Sequence, residues 1–265
     1  PWPDIPIGSF DETHSQPWLL PAIYDRLHGG RGEFLAELRP AVALFLRFSG
    51  LEYDADPEAG NKLDQFIRSV QEILARYESN LLQLTIGDKG NSLYAAFGAP
   101  MAHEDDPIRA VSAALELREM ARSLQFFDDV QIGISQGRQR TGAYGGTMRR
   151  TYGVLGDEVN TAARLMQAAQ PGEILVSAIV QRGTADTFTW ELLPPLKVKG
   201  KTQPLAVFSV EGIKKQQTVR LQEPRYALPI VGRKTELATI HQIFGKVLQK
   251  SGQILTITGE AGIGK

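Results

Sequence analysis

The residues best suited to chemistry lie in the run Thr151-Tyr152-Gly153-Val154-Leu155-Gly156-Asp157-Glu158-Val159-Asn160-Thr161-Ala162-Ala163-Arg164-Leu165. Asn160 and Arg164 are four residues apart, so on a helix beginning at Asp157 they share one face near its N-terminus. An amide, a guanidinium and the positive end of the helix dipole together suit the charge that develops at a five-coordinate phosphoryl centre. The plain alternative is an amphipathic helix in which Arg164 pairs with a carboxylate. A second phosphate-handling pattern closes the chain. The β-branched run Ile254 to Thr258 leads into Gly259-Glu260-Ala261-Gly262-Ile263-Gly264-Lys265. Gly259, Gly264 and Lys265 supply the fixed positions of a phosphate-cradling loop, with Gly262 between them. Backbone N–H groups of such a loop wrap phosphates, and the lysine offsets their charge.

Other polar clusters carry less. His103-Glu104-Asp105-Asp106 has metal-type ligands but reads more simply as a helix-capping cluster, and His14, His28, His103 and His241 make no ligand spacing. Arg138, Arg140, Arg149 and Arg150 are candidates to meet phosphates from a flap, against the alternative of a solvent-exposed hairpin. The chain has no cysteine, which excludes disulfides, thiolate metal sites and cysteine nucleophiles. Its 29 basic and 30 acidic residues give a net charge of −1, so no general electrostatic grip on nucleic acid or an anionic membrane is expected. The longest aliphatic run, Ala41 to Leu46, is far short of the ~20 residues of a membrane helix. A start at Pro1 without Met or an apolar leader suggests a cytoplasmic piece of a larger protein.

These groups need elements to position them. Residues 1–37 form an arm with a short helical patch near Pro21 to Leu27. Ala41 to Phe48 is a buried strand ending at Ser49-Gly50. Leu63, Phe66, Ile67, Val70, Ile73, Leu74 and Tyr77 keep the i, i+3, i+4, i+7 spacing of a helix. Leu81 to Ile86 and Ser92 to Phe97 read as a hairpin around Gly87-Asp88-Lys89-Gly90. A second helix opens with Asp105 or Asp106 as cap and Pro107 in its first turn, burying Ile108, Val111, Ala114, Leu115 and Leu124. Val130 to Ser135 is the next strand. The order strand, helix, strand, strand, helix, strand predicts an α+β, ferredoxin-like βαββαβ core, an antiparallel sheet with helices on one face. Gly137 to Gly156 reads as a long hairpin, and Asp157 caps a helix to about Ala169 that Pro171-Gly172 stops. Strands follow at Glu173 to Val176, near Trp190 and at Leu205 to Val210. Residues 212–229 read as a linker, and 230–265 as the truncated start of a P-loop NTPase domain that lacks the residues to hydrolyse a nucleotide.

The string Tyr152-x-Val154-x-Gly156-Asp157-x-Val159-Asn160-x-Ala162-Ala163-Arg164 resembles the signature of the class III nucleotidyl cyclases. Ile86-Gly87-Asp88, Phe97-Gly98-Ala99-Pro100, His103-Glu104-Asp105-Asp106, Pro171-Gly172-Glu173-Ile174-Leu175-Val176-Ser177 and Lys197-Val198-Lys199-Gly200 fit the same family in order, and the resemblance covers residues 38–211. With Val231-Gly232-Arg233 and the terminal phosphate loop, the layout resembles the soluble adenylate cyclase group, and Asp88-Lys89-Gly90 resembles its second, degenerate module. The resemblance implies two Mg²⁺ or Mn²⁺ ions, ATP or GTP as substrate, and a centre shared between two modules, in cis or as a dimer. It places Asn160 as the ribose-positioning asparagine, Arg164 as the transition-state arginine and Asp88 as the second metal aspartate.

The departures are specific. The first metal aspartate falls on Arg47, whose charge at ~4 Å from a divalent site repels the ion. The base-reading lysine falls on Leu84, with Gln83 beside it, and the second base-reading position falls on Gly153. The expected function is therefore a cyclase module that gives the Asn160–Arg164 pair to a centre completed by a partner and is inactive or nearly so alone. The alternative is an inactive pseudo-cyclase serving as a sensor or dimerisation module for the attached NTPase.

Overall fold

The computed structural model describes residues 13, 16–29, 36–87, 90–146, 150–197, 204–214, 233–248, 252 and 254–256. They fall in two units, residues 1–214 and 215–265. In the first, α1 (Pro21–His28) precedes β1 (Glu37–Phe48), α2 (Ala59–Arg76), β2 (Asn80–Thr85), β3 (Asn91–Phe97), α3 (Asp106–Ser123) and β4 (Gln131–Gly145). Then come β5 (Arg150–Leu155), α4 (Asp157–Ala168), β6 (Ile174–Ser177), α5 (Ala178–Gly183), β7 (Phe188–Leu196) and β8 (Leu205–Ile213). The second unit's described helix is α6 (Lys234–Leu248).

The strands form one sheet ordered β2-β3-β1-β4-β6-β8-β7, with β5 paired to β4. Its first four strands, all antiparallel, with α2 and α3 make the predicted ferredoxin-like core. β6 is the exception to antiparallel pairing, because it returns through α4 and runs parallel to β4.

The helices are not confined to one face. Val42, Leu44, Leu46 and Phe48 of β1 pack with Phe66, Val70, Val111 and Leu117 of α2 and α3. The alternate residues Ala41 and Ala43 pack with Tyr94, Val154 and Ala162, the last from α4. Both faces of β1 are covered, which is why Ala41 to Leu44 are all buried. α4 approaches closely because its floor is nearly bare. A Cβ on Gly133 would come within 2.2 Å of Ala162 O and Met166 N, and one on Gly137 within 2.6 Å of Glu158 Cγ.

Several local expectations change. Gly156 occupies the position before α4, and Asp157 is its first residue, with no side-chain cap bond. Asp105 sits at the N-cap of α3, but its carboxylate takes Arg109 Nε at 2.7 Å instead of a helix N–H. Asp106 takes the His103 N–H at 2.9 Å, so this cluster closes on itself and on Glu78 rather than offering metal ligands. Ala110, Ala113 and Leu117 join Val111 and Ala114 on the buried side of α3, whereas Ile108, Leu115 and Leu124 are half-buried at its margin. In the run expected as a strand before the phosphate loop, residues 254–256 carry no regular structure, and Thr258 lies outside the described residues.

Both ends of the sheet are irregular. The register of β2 shifts between Leu81 and Gln83. That of β7 shifts between Leu193 and Leu196, around Pro194-Pro195.

Candidate active site

The hairpin β4–β5 folds over the α4 face of the sheet. Tyr94 Oη donates to the Val154 carbonyl at 3.1 Å, and its ring stacks on Phe45 with centroids 4.6 Å apart. Burial raises the Tyr94 hydroxyl's pKa well above the ordinary tyrosine value, so it remains a neutral donor. This lock sets the strand that leads into Gly156 and α4.

On α4, Thr161, Ala162, Leu165 and Met166 are buried, fixing the helix's rotation. The Ser135 hydroxyl donates to the Glu158 carboxylate and pins the first turn to β4. Asn160 is then exposed and Arg164 half-buried on the side away from the floor. Neither makes a hydrogen bond or ion pair among the described residues, so the carboxylate partner of the plain alternative is missing there. An amide and a guanidinium thus stand one turn apart on the same helix face.

Arg47 lies elsewhere on the same face. It pairs in register with Ser92 and Gln131, at the far end of β1. Glu158 packs on Gly137, which pairs with Ala41. Six residues of strand separate Ala41 from Arg47, roughly 20 Å. One chain therefore does not gather the Arg47 position and the start of α4 into a single centre.

The Arg47 guanidinium rests on the β2–β3 turn: a Cβ on Gly90 would stand 3.1 Å from its Nε and Nη2. A guanidinium in that place does not fit a Mg²⁺ or Mn²⁺ site, since it brings positive charge and no lone pair. Among the described residues no three acidic or histidine side chains gather to hold a metal. Asp88, the other expected ligand, lies outside the described residues, as do Arg149, Gly259, Gly262, Gly264 and Lys265.

The positions expected to read the base are split. Gln83 pairs with Tyr94 and shares the α4 face, donating to Thr85 Oγ1 at 3.1 Å. Leu84 pairs with Leu93 and takes the opposite face. Gly153 is half-buried on β5, and a Cβ there would meet the Tyr144 ring at 3.4 Å, ordinary contact. Arg138 and Arg140 pair with Pro40 and Leu38, which puts both on the face opposite α4. They do not converge with Arg164. Sequence spacing alone missed Thr85, Ser92 and Gln131, which flank Arg47 only through strand register.

Residues 47–218 match the adenylate and guanylate cyclase catalytic domain family. That match covers more than half of the chain, and the chain belongs to this family. Among relatives, adenylate cyclase type 10 of Homo sapiens is 24% identical over 239 residues, covering 88% of this chain and 15% of that protein. The Rattus norvegicus protein of the same name is 25% identical over the same length. The chain thus spans about 15% of the length of these relatives. Among solved structures, the adenylyl cyclase CyaB from P. aeruginosa aligns with a TM-score of 0.61 at 22% identity, covering 69% of this chain and 98% of that one. The guanylyl cyclase Cya2 gives 0.60, also at 22% identity, covering 69% and 97%. These likenesses establish the cyclase fold. No helix among the described residues is long and apolar enough to cross a membrane.

Proposed function

We propose that this chain is the phosphate-side half of an adenylate cyclase centre, corresponding to the second, degenerate module of the soluble adenylate cyclase layout. Asn160 orients the ribose, and Arg164 meets the charge that grows as the 3′-hydroxyl attacks the α-phosphorus of ATP and pyrophosphate leaves. The metal-binding carboxylates belong to the partner module, in cis or as a dimer, because Arg47 stands in their place here. The observation that carries this reading is the Asn160–Arg164 pair on α4, without a partner among the described residues, held by a helix that Gly133 and Gly137 allow close to the sheet. GTP is the alternative substrate, since Gln83, Leu84 and Gly153 do not form the usual base-reading set.

The test mixes the purified chain with a cyclase module that has both metal aspartates, and measures cyclic AMP. Activity absent from either component should appear in the mixture and fall about 10²–10³-fold with Arg164→Ala. A mixture indifferent to that substitution overturns the assignment. A mixture that never becomes active favours the second reading, supported by Arg47 and the split base positions: a non-catalytic pseudo-cyclase that senses a ligand or dimerises for an attached P-loop domain.

A further inference from the structure

Across β2, β3, β1 and β4 one row of directly paired residues reads Thr85, Ser92, Arg47, Gln131. Directly paired residues share a face, so two hydroxyls, a guanidinium and a carboxamide stand side by side there. The next row inward on that face, Gln83, Tyr94, Phe45 and Gly133, carries no charge. Arg47 is half-buried, and among the described residues it has no acceptor. Its seat is shaped by the backbone. Gly90 has φ +100°, which side chains rarely adopt, and any Cβ there would press on the guanidinium. Thr85 accepts from Gln83 and keeps its own O–H to give, while Gln131 gives one of its two amide N–H groups to the Ala169 carbonyl. The row therefore offers a cation and two hydroxyl donors, with no carboxylate among its own four residues.

We propose that this row binds a polyphosphate, the triphosphate tail of a nucleotide or its inorganic equivalent, without a divalent cation. The guanidinium takes the place a metal would have held. Its planar fork can bond two phosphate oxygens at once, and its charge needs no metal to neutralise them. A triphosphate already complexed by Mg²⁺ presents less negative charge and brings the ion against Arg47, so it binds worse. The inference rests on the strand row and not on the roles given to Asn160 and Arg164.

Calorimetric titration of the full chain with inorganic triphosphate in EDTA tests it, with Lys265→Ala in every variant so that the terminal loop stays silent. The parent should bind, and Arg47→Gln should weaken binding roughly ten- to a hundredfold. Gly90→Val, which leaves all charges in place, should weaken it as well, provided thermal unfolding shows the fold intact. Replacing EDTA by Mg²⁺ should lower the affinity. Binding that requires Mg²⁺, or that Arg47→Gln leaves unchanged, overturns the proposal. So does binding that appears only with Asp88→Asn, because the guanidinium would then be neutralised within the chain. Any of these three failures leaves the cyclase pairing standing, since that is read with a partner module present.

Discussion

Gly133 is the residue whose replacement the structure tolerates least. The atoms a Cβ would meet, Ala162 O and Met166 N, are both backbone, so no side chain can swing aside and α4 itself must retreat. Gly133→Ala should cost about 1–3 kcal/mol in chemical denaturation, and should also depress activity in the mixed assay, because Arg164 moves with its helix. Gly60→Ala is the control. Nothing lies within 4 Å of a Cβ there, in the first turn of α2, and the change should be neutral or slightly stabilising. Residue types and spacing were enough to find Asn160 and Arg164, because a four-residue interval on a helix is a local rule. They were not enough to find Ser92 beside Arg47. Those two are 45 positions apart and meet only through pairing that no local pattern specifies.

At the level of elements, two ion pairs tie down the ends of α2 and α3. The Lys62 ammonium, with the Glu58 N–H, holds the Asp56 carboxyl below the usual carboxylate range, and the Arg109 guanidinium does the same for Asp105. A carboxyl whose folded pKa is depressed stabilises the fold above its unfolded pKa and loses that contribution as pH falls through the folded value. The midpoint of urea unfolding should therefore be flat near neutrality and decline below about pH 4, the ordinary carboxylate pKa. Asp105→Asn should remove part of that decline, and an acid limb unchanged by it would contradict the pairing. An apolar run marked β1, helical spacing α2, a glycine-rich turn between two strand-like runs the β2–β3 hairpin, and start and stop residues α4. None of these revealed which side of the sheet α4 occupies, since an amphipathic helix states that it packs and not on what. The cue was in β1: Ala41-Val42-Ala43-Leu44 is apolar at every position, the mark of a strand covered twice. The six-residue α5 is too short to show a period.

For the molecule as a whole, the separation along β1 between Arg47 and the start of α4 fits the proposed centre shared between two modules. Complementation should be asymmetric. A partner module stripped of its own asparagine–arginine pair should still form cyclic AMP with this chain, while one stripped of its metal aspartates should not. The rate should saturate as this chain is added to a fixed amount of partner. Activity rescued with the aspartate-deficient partner would mean that the carboxylates come from this chain after all.

The irregular borders of the sheet bear on how such a pair can assemble. Proline at 194 and 195 withholds amide hydrogens along the outermost β7, and the kink after Leu81 bends β2 out of line. Lateral zippering of one molecule's sheet onto another is thereby discouraged at both rims. Crowded copies are steered away from growing into ribbons through their sheet edges.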